Sequence, residues 1–454
     1  MTIPLCDPEA CGSAGCTATV CQGAGVPSNH ALFERSKAAI PGGVNSSIRA
    51  FKAVGGEPYV VASADGATVT DVEGRTYIDL VQSYGAVILG HAHPAVTAAI
   101  TAAAPSGTSY GAPTPREMKL AEAIGERVPS CERVRLMNSG TEATSTAIRL
   151  ARGVTGRDRI VTFAGNFHGA TDALLVAGGS GVATLGLPGT AGVPNASVAE
   201  TMVAPYNVVP ELTDEVAAVI VEPVAANMGV VAPVPGFLEG LRAECDRVGA
   251  LLIFDEVITG FRLGRGGAQG VFGVRPDITC FGKVIGGGLP IGAIGGTASI
   301  MEQLSPLGAV FHAGTLSGNP LATAAGLAAL DQLTDDVYDE LGARAARLAA
   351  GLAEACEAAD FTAAFPVVGT LFGMVVGDEL AGPTSTPVTN FDEAKCTDEA
   401  AYGRFFQAML AGGVAMAPGA YEAIFTGLGH TDAVIDQIID IAHTAASSAV
   451  SATS

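Results

Sequence analysis

The sequence predicts an α/β protein: a large domain on a mainly parallel sheet, and a second, smaller α/β domain toward the C-terminus. Three observations carry this expectation. Between about 117 and 300, short apolar runs alternate with helical stretches, the pattern of buried parallel strands joined by crossover helices. Residues 59–81 hold shorter alternating runs separated by tight-turn pairs. Residues 335–450 mix long helical stretches with a turn-rich middle. At roughly 100–200 residues per domain, 454 residues suit two to four domains.

Taken in order, residues 1–30 have turn residues and no periodicity, and read as a flexible leader. The runs 59–62, 67–71 and 76–81 are predicted strands, with Asp65-Gly66 and Glu73-Gly74 at the turns. The buried strands are predicted at 133–137, 160–163, 217–221, 250–254 and 278–281, and helices at 117–128, 141–153 and 236–248. An Ala-rich helix is expected at 338–358. In a final amphipathic helix, Ile435, Ile438, Ile439 and Ala442 share one face and Asp436, Gln437 and Asp440 another. The expected boundaries are a leader at 1–30, an N-terminal segment at 31–85, the large domain at 86–330 and the C-terminal domain at 331–454.

Composition excludes several function classes. Forty-five acidic against 24 basic residues give a formal net charge of −21. A polyanion such as DNA or RNA would be repelled, as would an anionic membrane surface. Charge-free stretches such as 284–301 are broken by glycines and Pro290, so no membrane span is expected. The first basic residue is Arg35, which leaves no charged signal region ahead of it, and a cytoplasmic location is expected. Nine cysteines, an odd number, do not read as a disulfide scaffold. Cys6, Cys11, Cys16 and Cys21 fall five apart, a spacing that matches no zinc pattern, and no metal site is expected.

In a parallel sheet, ligands bind beyond the C-terminal strand ends. Four features stand there. Asn138-Ser139-Gly140-Thr141-Glu142 opens a helix, where free N–H groups suit a phosphate. Phe167-His168-Gly169 offers rings that could stack on a flat cofactor. Asp255-Glu256 ends the run 250–254 and could hold a pyridinium nitrogen. Lys283 follows the run 278–281 and precedes Gly286-Gly287-Gly288; this is no Walker loop, whose glycines come before the lysine. A desolvated lysine amine forms Schiff bases. Each feature alone has an ordinary structural reading as a cap, a core-edge ring or a surface lysine. Together, each after a strand of one sheet, they supply the parts of a pyridoxal phosphate (PLP) site.

Further strings make a resemblance specific. They are Pro41-Gly42-Gly43-Val44-Asn45-Ser46, Gly90-His91-Ala92-His93-Pro94, Glu222-Pro223-Val224, Ala313-Gly314-Thr315-Leu316-Ser317-Gly318-Asn319-Pro320, and the run 179–188, GSGVATLGLP. Over about 33–445 the chain resembles the class III aminotransferases, a family of fold-type I PLP-dependent transferases, and most closely its aminomutase branch. That resemblance implies a smaller domain built from both N- and C-terminal segments. It implies conversion of the small amino-aldehyde (S)-4-amino-5-oxopentanoate to 5-aminolevulinate, which feeds tetrapyrrole synthesis, with the cofactor passing through its pyridoxamine form. A related aminotransferase acting on a β-amino acid or another amine is the alternative. A third possibility, a non-catalytic PLP-binding regulator, lacks support: residues 1–34 hold no Lys or Arg to bind DNA.

The same resemblance implies roles. Lys283 is the Schiff-base lysine and proton shuttle, and Asp255 pairs with the pyridine nitrogen. Ser139, Gly140 and Thr141 bind the phosphate, with Gly314 and Thr315 of the partner subunit in a homodimer. Phe167 and Val257 sandwich the ring, His168 lies beside it, and Glu222 and Asn227 lie near its O3′ side. Arg49 holds the substrate carboxylate, with Tyr84, Ser180 and the catalytic Glu422 as further substrate contacts. The loop 179–194 is the expected gate, which would retain a diamine between two half-reactions. Tyr84, Phe167, Ala170, Phe311-His312 and Gly419 depart from the branch's usual residues and cluster around the expected pocket.

Overall fold

The computed structural model describes residues 27–176, 190–381 and 387–451. The leader cysteines, Ser180 and most of the expected gate lie outside these residues. Helix α1 (Asn29–Ala39) is followed by antiparallel strands β1 (Val61–Asp65), β2 (Thr68–Asp71) and β3 (Thr76–Asp79). The predicted turns join them, with Gly66 and Gly74 at φ 53° and 85°, where glycine has no Cβ penalty.

The core of the chain is a seven-stranded sheet. Helix α2 (Pro115–Arg127) precedes β4 (Arg133–Met137) and starts with a capping box between Thr114 and Glu117. Next come α3 (Gly140–Thr155), β5 (Arg159–Phe163), β6 (Thr201–Ala204), β7 (Val216–Val221), α4 (Phe237–Val248), β8 (Leu251–Asp255), β9 (Ile278–Gly282) and β10 (Gly292–Gly296). The spatial order is β4-β10-β9-β8-β7-β5-β6. Strands β9, β8, β7, β5 and β6 run parallel. Strand β10 runs antiparallel to both β4 and β9, so β4 points the same way as the rest. The five predicted strands therefore end on one edge. Strand β7 is buried throughout, as its uninterrupted apolar run requires.

Two strands of this sheet escaped the sequence reading. Strand β6 is a four-residue edge strand. Strand β10, Gly-Ala-Ile-Gly-Gly, reads as a loop because glycine normally weakens a strand. Its glycines answer a packing demand: a Cβ on Gly292 would lie 2.1 Å from the Ser139 carbonyl oxygen. The strand is pressed directly against the turn that opens α3.

Helices α5 (Pro320–Gln332), α6 (Asp335–Glu357), α7 (Glu399–Gly412) and α8 (Asp432–Ser451) follow. Strand β11 (Val414–Ala415) runs parallel to β3, so residues from both ends of the chain share one sheet. Leu348 and Leu352 of α6, Phe405 and Met409 of α7, and Ile435, Ile438 and Ala442 of α8 form one buried cluster. Ile439 is half-buried and packs over Gly351, where a Cβ would approach it to 2.3 Å. Ile438→Ala should cost about 2–5 kcal/mol of stability, read by denaturant unfolding, since the side chain is fully enclosed. Among the described residues, no helix is long and apolar enough to cross a membrane.

Candidate active site

The strand ends converge on a cavity of about 530 Å³ lined by Ser139, Gly140, Thr141, Phe167, His168, Glu222, Asn227, Asp255, Val257, Lys283, Tyr84 and Glu422, among others. Twelve predicted residues from seven stretches of sequence thus line one cavity.

The end of β4 feeds α3 through Ser139, whose hydroxyl accepts the Glu142 N–H at 3.2 Å while its carbonyl accepts the Ala143 N–H at 3.1 Å. The first turn of a helix has N–H groups without intrahelical partners, and those of Gly140 and Thr141 belong to it. Close packing shapes this cradle. A Cβ on Gly169 would lie 2.3 Å from Thr141 Oγ1, and one on Gly140 would lie 3.0 Å from the Val257 methyls.

Asp255 ends β8 and is buried. His168 Nδ1 meets Asp255 Oδ2 at 2.7 Å, and the Val257 N–H donates to Asp255 Oδ1 at 3.1 Å. His168 is held in turn by the Thr144 hydroxyl, which donates to its carbonyl at 2.7 Å. Glu256 points away: its carboxylate accepts from Thr259 and from Gln269, and it serves the fold.

Glu222 ends β7. Its carboxylate accepts from the Phe167 N–H at 2.6 Å, the Ala226 N–H at 3.1 Å and the Asn227 amide at 2.9 Å. Burial nevertheless pushes its carboxyl up to about 7, with nearby Asp255 adding to the rise, while His168 and the Phe167 and Asn227 donors pull the other way. The sign for stability follows. Between its ordinary 4.5 and about 7, the unfolded chain ionises where the folded one stays protonated, so this group lowers stability as pH rises. In cofactor-free protein, Glu222→Gln should carry a constant penalty from one lost acceptor. Its stability relative to the parent should then improve by up to about 3 kcal/mol from pH 4.5 to 7, measured by denaturation across that range.

Lys283 follows β9 at φ 47° and is half-buried at the cavity wall. Burial lowers its amine below the usual lysine range, against the pull of Glu422, Glu222 and Asp255. Among the described residues it has no ion-pair partner within 4.0 Å. The glycines after it let α5 approach: Gly287 has φ 55°, and a Cβ there would lie 2.8 Å from the Ala325 carbonyl oxygen.

Other expected residues fall outside the wall. Arg49 is exposed, and although its charge acts on Tyr84, it is Ser46, Ser47 and Ile48 that line the cavity. Gly314 and Thr315 are exposed and do not line this chain's cavity. Thr144 was missed by the sequence reading; its place one turn beyond Thr141 was the available signal.

The residues present fit a PLP-type cofactor. The cradle cannot admit a Cβ at Gly169, the Phe167 ring is 36% exposed, and Lys283 and Asp255 face one cavity. His168 Nε2 is buried with no partner among the described residues.

Fold and site together define a fold-type I α/β transferase. The chain belongs to the class III aminotransferase family, whose model matches residues 51–443. It is 51% identical to glutamate-1-semialdehyde 2,1-aminomutase of Desulforapulum autotrophicum, over 90% of this chain and 96% of that one. Among solved structures, an omega-transaminase from Sphaerobacter thermophilus superposes with a TM-score of 0.84 at 31% identity, covering 94% of this chain and 98% of that one. A glutamate-1-semialdehyde-aminomutase from Pseudomonas aeruginosa in complex with PMP superposes at 0.80 and 26%, covering 92% and 93%.

Proposed function

We propose that the chain is a PLP-dependent aminomutase that converts (S)-4-amino-5-oxopentanoate to 5-aminolevulinate. The observation that carries this reading is that Lys283, half-buried and with its amine desolvated, shares one cavity with Asp255, Glu222 and Glu422. The likeness to curated aminomutases over nine-tenths of the chain supports the particular reaction.

When bound, PLP supplies an electron sink that eases breaking a C–H bond beside an amine. Ser139, Gly140 and Thr141 would hold the phosphate at the start of α3. Asp255 would hold the pyridine nitrogen, kept in place by His168 and the Val257 N–H. Phe167 and Val257 would close on the two ring faces, and Glu222 with Asn227 would face O3′. The amino group moves between adjacent carbons, so one base that reaches both suffices. Lys283 fits: burial favours its neutral amine, which can accept a proton from one carbon and return it to the next. Tyr84 and Glu422 would meet the substrate, with Arg49 and Ser180 as further contacts. The exposed Gly314 and Thr315 would complete the phosphate site of a second copy in a homodimer.

A second reading, an aminotransferase acting on a β-amino acid or another amine, is favoured by Tyr84 and Phe167 on the cavity wall. The two are separated by supplying glutamate-1-semialdehyde alone. 5-Aminolevulinate forming without added donor or acceptor supports the aminomutase. No product in that assay, with turnover of an amine plus 2-oxoglutarate, would replace it with the aminotransferase.

A further inference from the structure

The turn after β3 is unusual in its backbone. Gln82, Ser83 and Tyr84 have φ of 46°, 52° and 55°, and Gly85 follows at 93°. L-residues visit the left-handed region singly, and three consecutive non-glycine residues there need outside support. Backbone outliers of this kind gather at functional sites. This one delivers Tyr84 to the cavity wall that holds Lys283 and Glu422.

The support comes from two sides. At the entry, Asp79 accepts the Val81 N–H at 2.9 Å and the Gln82 N–H at 3.2 Å, and its carbonyl accepts the Gln82 side-chain amide at 3.0 Å. His91 Nε2 meets the same carboxylate at 2.6 Å. At the exit, Arg262 donates to the Gly85 carbonyl at 2.8 Å and to the Thr426 carbonyl at 3.2 Å. Arg262 is completely buried, and among the described residues no carboxylate pairs with it. Its guanidinium lies 5.1 Å from the Phe425 ring centre. Gly85 is the residue that fits between them: a Cβ there would lie 2.7 Å from Phe425 and 3.3 Å from Arg262 Nε. A buried arginine without an acid is expensive. This one joins the strained turn to the segment after Glu422, which are the two chain segments on the substrate side of the cavity.

We propose that Arg262, Asp79 and His91 are positioning residues that brace the left-handed turn at 82–85 and so fix the Tyr84 ring on the substrate side of the active site. The inference rests on the active-site reading above. A purely structural brace would change stability and leave substrate affinity alone.

Two variants separate these cases. Arg262→Lys keeps the buried charge but lacks the fork that spans two carbonyls. Ser83→Val places a β-branched residue at φ 52° on an exposed position that does not line the active-site cavity, and Ser83→Gly is its unstrained control. With PLP-loaded protein, Arg262→Lys and Ser83→Val should each raise KM about tenfold, with PLP affinity within twofold of the parent. Ser83→Gly should match the parent. Adding either change to Tyr84→Ala should cause little further loss, because all act through one ring. Crystal structures of the two variants should show the Tyr84 ring displaced. An unmoved ring, or losses that add to those of Tyr84→Ala, would overturn the proposal. Should Arg262→Lys fail to fold, Ser83→Val carries the test. Absence of turnover in the parent would count against the proposed reaction, and the ring position would still decide the bracing.

Discussion

Lys283→Ala is expected to leave the chain folded and to lower turnover about 1,000- to 10,000-fold, the loss that follows removal of a positioned acid–base group. The fold should tolerate it. Lys283 is half-buried, and desolvation already disfavours its charged form, so deletion removes that cost along with the methylenes. The cavity it faces is open enough that no tight packing is lost. Steady-state kinetics and a thermal scan together check this. Turnover retained within tenfold would show that another group moves the proton.

Asp255 should respond differently, because it serves both the site and the fold. Its carboxylate holds His168 at 2.7 Å and the Val257 N–H at 3.1 Å. Asp255→Ala leaves the buried His168 Nδ1 without its partner and should cost about 1–3 kcal/mol of stability. Asp255→Asn keeps the shape and one acceptor, and should recover most of that stability. Both should lose at least about 100-fold in turnover, since neither offers a charge to the pyridine nitrogen. The informative comparison is between the two variants. If Asn restored turnover along with stability, the role of Asp255 would be to hold its neighbours alone.

The site was legible because strand–helix alternation tells the reader where to look. Lys283, Asp255, Glu222, Phe167 and the Ser139–Thr141 turn each follow an apolar run, and all line one cavity. Strand β10 was not legible. Its glycines accommodate the Ser139 carbonyl, a contact between residues more than 150 positions apart, and in sequence they look like a loop. Arg262 was hidden for a similar reason. No acid near it in sequence marks it, and its partners are carbonyls at Gly85 and Thr426. The left-handed turn carrying Tyr84 was invisible because Gln82-Ser83-Tyr84 contains no glycine to announce positive φ. Ser46, Ser47 and Ile48 line the cavity beside the exposed Arg49, and no strand end in the sequence marks them.

The strand-end cavity is expected to be one PLP-bearing site whose covalent anchor is Lys283. Borohydride reduction of the PLP-loaded protein, followed by proteolysis and peptide mass mapping, tests it most directly. The expected result is a single modified peptide containing Lys283, absent from Lys283→Ala. Modification of a different lysine, or no stable modification at all, would contradict the account.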